Sequence, residues 1–141
     1  MKLINSYTYE IKKSKFIGYY YEVNTKEEAN EVMEELKKEH KKARHIPYAY
    51  KTENIAKKSD DKEPSGTAGS PIYNIIEMNN LNNCLIAVVR YFGGIKLGAG
   101  GLLRAYSTAA KEVIKKMMIN IIFLCCSFIH IYYCIRILNI N

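Results

Sequence analysis

Arg90 and the glycines that follow it form the most chemically suggestive group in this 141-residue chain. The segment reads RYFGGIKLGAGGLLRAY, with Gly93, Gly94, Gly98, Gly100 and Gly101 lying between Arg90 and Arg104. Glycines let backbone N–H groups approach a ligand closely, and a helix N-terminus favours an anion. Arginine adds a planar, permanently charged fork that matches phosphate or carboxylate. On these grounds the group reads as an anion-binding loop. The same glycines also serve tight turns and close packing of a helix on a sheet. Their spacing is neither G-x-x-x-x-G-K-[ST] nor G-x-G-x-x-G, so it carries no nucleotide-binding signature.

A second group gathers Asp60, Asp61, Glu63, Ser65, Gly66 and Thr67 in SDDKEPSGTAG. Hard cations take oxygen ligands, so these carboxylates and hydroxyls could hold Mg²⁺. Acids at this density also suit a solvated turn, and neither a metal nor a cofactor is expected. The hydroxyls and glycine amides could instead line a cleft shared with the loop after Arg90. In the alternative, Arg90 is a buried structural arginine paired with Asp60 or Asp61. His40 and His45 flank a basic segment and are read as hydrogen-bonded structural residues. Neither a Ser-His-Asp order nor a nucleophile elbow is visible, so no catalytic residue is assigned.

The elements that must position these groups follow from the hydrophobic pattern. Residues 3–11 and 16–23 read as a β-hairpin around the polar turn 12–15, the second strand having one buried and one half-exposed face. Thr25 and Glu28 make a capping box that opens a helix running to about Glu39, with Ala29, Val32, Met33 and Leu36 inward. Tyr48–Lys51 is a short strand and residues 52–69 a loop. Ser70 as N-cap and Pro71 as the first helical residue start a helix that ends at Asn79-Asn80. Leu85–Val89 is a buried strand ending at Arg90. A last helix from about Leu102 turns Leu102, Leu103, Tyr106, Ala109, Ala110, Val113 and Ile114 to the core. The fold class expected is α+β.

Composition narrows the partners. Net charge is +7, and after Lys116 the sole charged residue is Arg136. The basic excess favours RNA or the ribosome, although lysines interleaved with glutamates between Lys26 and Lys58 also make an ordinary solvated surface. The four cysteines form no C-x-x-C, and Cys84 reads as a small core residue. The N-terminus lacks the apolar core of a signal peptide, so a reducing cytoplasm is expected.

Three blocks, KSKFIGY at 13–19, SDDKEPSGTAGSPI at 59–72 and RYFGGIKLGAGGLLRAY at 90–106, with ARHIPYAYK at 43–51 between the first two, together resemble the IMPACT/YigZ family over residues 1 to about 116. The resemblance implies a ribosomal protein S5 domain 2-like fold, a mixed sheet packed against helices. It implies a non-enzymatic, translation-linked regulator or an RNA- or ribosome-binding module, with a protein of the translation machinery as another possible partner. Eukaryotic members restrain an initiation-factor kinase by competing for its ribosome-associated activator. This chain lacks their partner-binding extension, so that role is not carried over. An enzyme acting on a phosphorylated small molecule at the glycine loop is the contrasting reading, by fold analogy.

Residues 117–141, MMINIIFLCCSFIHIYYCIRILNIN, do not fit the pattern. Bacterial relatives continue into a ferredoxin-like domain that is not recognisable here. The uncharged run Met117 to Ile135 approaches the length of a membrane span, flanked by Lys111, Lys115 and Lys116. A frameshifted or degenerate remnant, a tail anchor of a membrane adaptor and a genuine buried element are the three readings. None makes His130 a ligand.

Overall fold

In the structure, a computed structural model, the backbone is described for residues 1–138 and the side chains for residues 1–129. Five strands and three helices follow in the order β1 (Lys2–Ile11), β2 (Ser14–Glu22), α1 (Lys26–Glu39), β3 (Tyr48–Lys51), β4 (Ala56–Ser59), α2 (Gly69–Met78), β5 (Cys84–Tyr91) and α3 (Gly98–Leu138). The strands form one sheet in the order β1-β2-β5-β3-β4. An α+β chain with its sheet packed against helices is thus present. All four ladders are antiparallel, where the sequence reading expects a mixed sheet.

The last strand in the chain lies in the middle of the sheet, between β2 and β3. Burial on both faces explains its unbroken apolar run. Leu85, Ala87 and Val89 join one core with Val32, Met33 and Leu36 of α1. Cys84, Ile86 and Val88 join the other, with Ile72, Ile76, Tyr106, Ala109 and Val113 of α2 and α3. Strand β2 has the two expected faces, one buried through Phe16, Gly18 and Tyr20, the other half-exposed, with Lys15 exposed, Ile17 and Tyr19 partly buried and Tyr21 buried. Phe16 and Tyr20 go to the α3 side, and Tyr21 and Val23 to the α1 side. Gly18 is required here, since a Cβ would lie 2.9 Å from the Ala109 carbonyl oxygen of α3.

The hairpin between β1 and β2 is tighter than expected. Ile11 pairs Ser14 across a two-residue turn, with Lys12 and Lys13 at φ +47 and +62. Such positive φ values match the right-handed twist of the flanking strands. Within the expected loop 52–69, Ala56–Ser59 forms β4. Its sequence lacks strong β-formers and is mostly exposed. Pairing with β3 makes it a strand, and its lysines are typical of a sheet edge.

Two helix starts also differ. Helix α2 begins at Gly69 after Ala68, and neither Ser70 nor any other local side chain caps it. Helix α3 begins at Gly98, a turn earlier than Leu102. Leu103, expected in the core, is 45% exposed. Core contacts from α3 end at Met117, while the helix continues with Ile122, Phe123, Leu124 and Phe128 exposed. Among the described residues no helix is long and apolar enough to cross a membrane. The readings of the tail, and His130 with them, fall partly outside the described side chains.

Candidate functional site

The C-terminal end of β5 is where the two sequence groups meet. Phe16 of β2 pairs Arg90 on one side. On the other, the Arg90 N–H donates to the His45 carbonyl at 3.0 Å, and the Arg44 N–H donates to the Arg90 carbonyl at 3.1 Å. Strand alternation then turns the Arg90 side chain toward α3, where it is 7% exposed. Its Nη1 donates to Glu63 Oε1, forming a buried ion pair. The Tyr106 hydroxyl donates to the same oxygen at 2.6 Å. Burial, then the bond to Glu63, hold this phenol far above its ordinary pKa. The guanidinium lies over the rings of Phe16 and Phe92, and Arg90 Nε is buried without a partner.

Arg90 therefore has a carboxylate partner, but it is Glu63 and not Asp60 or Asp61. Those two acids shape the loop. Asp60 accepts from the backbone N–H groups of Gly66, Ala68 and Gly69, at 3.0, 3.2 and 2.8 Å. Ala68 and Gly69 carry free donors at the start of α2, so a remote carboxylate replaces the missing cap, and the Gly66 bond ties the loop before it. Burial would raise the Asp60 pKa, but the three amides outweigh it and the net shift is downward. Asp61 Oδ2 accepts from the Ile46 N–H at 2.7 Å. His45 Nδ1–H donates to the Asp61 carbonyl at 2.8 Å. Thr67 donates to the Pro64 carbonyl, Gly66 supplies a φ of +76, and Ser65 is exposed. Among the described residues no three His, Cys, Asp or Glu side chains are placed to hold a metal.

The glycines divide by role. Gly93 packs against the backbone of Lys13, and its N–H donates to Ser14 Oγ at 3.1 Å. Gly94 and Gly98 have φ of +90 and +70 with open space beside them. Gly100 and Gly101 lie in the first turn of α3, below the exposed Arg104. The acidic loop and the strand end before the glycines meet directly in the buried contact of Glu63 with Arg90.

Cations that the sequence does not group together surround this closed centre. Lys12, Lys13 and Lys15 come from the β1–β2 hairpin, whose turn touches Gly93. Lys41, Lys42 and Arg44 follow α1, whose C-cap His40 lies 2.7 Å from the Tyr91 hydroxyl and 2.8 Å from that of Tyr19. Lys96 and Arg104 belong to the glycine loop and α3. All eight are exposed, and Arg44 stacks over the exposed Phe92. Glu10 and Glu39 are the acids nearest in these segments. Only antiparallel pairing brings the segments to one end of the sheet. Tyr106 is a site residue that the sequence reading leaves out, although a tyrosine on an apolar helix face signals a buried partner for its hydroxyl.

The sequence profile of the Impact N-terminal domain matches residues 12–114, most of the chain. The chain belongs to the IMPACT family. YvyE of Bacillus subtilis (strain 168), an IMPACT family member, is 46% identical over 105 residues, covering 72% of this chain and 48% of its own. YigZ of Escherichia coli (strain K12) is 34% identical over 113 residues, 77% of this chain and 55% of its own. This IMPACT domain thus spans about half the length of the curated relatives it matches. A crystal structure of a hypothetical protein superposes with a TM-score of 0.76 at 34% identity, covering 79% of this chain and 56% of that one. The two-domain translational regulator Yih1 superposes with a TM-score of 0.51 at 24% identity, over 82% of this chain and 46% of that one, a likeness of fold alone.

Proposed function

We propose that this IMPACT-family domain is a non-enzymatic, translation-linked binding module that contacts RNA, free or within the ribosome, through the cationic end of its sheet. The carrying observation is a separation of charge. The acids Asp60, Asp61 and Glu63 are engaged inward by backbone amides, Arg90 and Tyr106. The cations of three separate segments are exposed at this end of the sheet, Arg44 among them lying over the Phe92 ring. Phosphates attract such an array. Gly98 and the open N-terminal turn of α3 add backbone donors beside it. Engagement of the loop acids supports binding over catalysis. The link to translation is supported by the shared fold of Yih1, a translational regulator. Among the described residues Cys84, Cys125 and Cys126 are free thiols, which suits a reducing cytoplasm.

The test is a triple variant, Lys13→Ala/Arg44→Ala/Lys96→Ala, compared with the parent on single-stranded RNA and on ribosomes across a salt series. The parent's log affinity should fall steeply with log salt. Removing three phosphate contacts should flatten the slope by roughly 2, at about 0.7 per contact for single strands. Equal affinity and equal slope for parent and triple variant would refute the proposal. Binding confined to a phosphorylated metabolite would favour the small-molecule reading.

A further inference from the structure

An open groove runs along the outer side of α2 and α3, away from the cationic sheet end. Two adjoining hollows form it, one lined by Gly66, Pro71 and Leu103, the next reaching Met118, and both share Ile75, Met78 and Lys111. Its floor is core, through Ile75 and Ile114, but three apolar side chains of its walls are left exposed. Met78 is 73% exposed, and Leu103 and Met118 are each 45% exposed. Lys111 and Lys115 stand one helical turn apart on the α3 wall, both exposed, with Glu112 as the acid beside them. The α2 wall offers the neutral Asn74 and Asn79.

We propose that this groove docks an acidic amphipathic helix of a protein partner. Leu103 and Met118 stand about 22 Å apart along α3 at about 1.5 Å per residue, so apolar side chains near i, i+7 or i+8, and i+15 of the incoming helix would seat on Leu103, Met78 and Met118 in turn. Carboxylates along one edge of the incoming helix, at i and i+4, would meet Lys111 and Lys115. The unbranched thioethers of Met78 and Met118 can repack around different apolar shapes, as methionines at binding grooves do. Charge argues against a second copy of this chain as occupant. The apolar stretch of α3 from Met117 to Ile129 holds no acid, and the acidic helix α1 already spends its apolar face on the sheet.

The probe is a synthetic helical peptide with leucines at i, i+4, i+7, i+8, i+11 and i+15 flanked by glutamates, and a twin with lysine in place of every glutamate. Binding to the full chain is read by fluorescence anisotropy. The glutamate peptide should bind about tenfold tighter than its twin at low salt. Met78→Asp, at an exposed position, should keep the parent's melting temperature and weaken binding about tenfold. Lys111→Glu/Lys115→Glu should invert the preference between the two peptides. The proposal is overturned if the glutamate peptide does not bind, if folded Met78→Asp binds it as the parent does, or if charge reversal leaves the preference unchanged. It is also overturned if sedimentation shows a dimer of the parent that Met78→Asp dissolves, since the groove would then be an interface between copies.

Discussion

Replacing Glu63 by glutamine tests the reading of Arg90 most directly. Glutamine keeps an oxygen for the Tyr106 hydroxyl but removes the charge that balances Arg90. The pair is nearly inaccessible, with side chains 8% and 3% exposed. Solvent therefore cannot rescue the remaining charge, and breaking one half of such a pair costs about 3–5 kcal/mol. A domain of this size is stable by about 5–15 kcal/mol, so the loss is a large fraction. With a urea m-value near 2 kcal/mol/M, a 3 kcal/mol loss lowers the midpoint by roughly 1.5 M. Arg90→Met should cost a similar amount, by leaving Glu63 charged and buried. The double variant Glu63→Gln/Arg90→Met removes both charges while keeping the acceptor for Tyr106. It should fall short of the sum of the single losses by about 2–3 kcal/mol of coupling. The assay is urea denaturation followed by circular dichroism, with the four proteins as a cycle. Single losses below about 1 kcal/mol that simply add would refute the reasoning, because Arg90 would then be free to serve a ligand.

Three further outcomes follow from the same contacts. The Asp60 carboxyl is held below its ordinary pKa in the folded chain, so its contribution is present above the unfolded value of about 3.9 and is lost as pH falls through the folded value. Asp60→Asn should be less stable than the parent at pH 7, with the gap narrowing below about pH 4 in parallel melts; a gap independent of pH would count against the three-amide bond. Gly18→Ala places a methyl against the Ala109 carbonyl and should cost about 1–3 kcal/mol in urea denaturation, whereas an unchanged midpoint would mean that β2 and α3 are not so closely packed. Burial pushes the Cys84 thiol up to about 11, against the weaker effect of its bond to Tyr20. Iodoacetamide on the native chain should modify the exposed Cys125 and Cys126 and spare Cys84 until denaturant is added, as read by peptide mass mapping; prompt native labelling of Cys84 would contradict the packing of β5.

Local signals determined much of this protein by themselves. Thr25 and Glu28 are close in sequence, and the structure has the Thr25 hydroxyl accepting the Glu28 N–H at 3.2 Å, while the Glu28 carboxylate takes the Asn24 N–H. The apolar run of β5 announced a buried strand, and the paired blocks around Asp60 and Arg90 announced the family. Tertiary structure decided what no short window contains. Residues 56–59 become a strand because β3 offers them a ladder, and α2 starts at Gly69 because Asp60, nine residues earlier, supplies its cap. Which acid meets Arg90 was likewise a matter of loop geometry. Asp60 and Asp61 turn to amides, leaving Glu63 to reach the strand end and Tyr106 to complete the buried pair. The cationic rim is the most remote effect, since Lys13, Arg44 and Lys96 lie far apart in the chain. Only the insertion of β5 between β2 and β3 sets them at one end of the sheet, because cross-strand register, unlike helical periodicity, is fixed by partners distant in sequence.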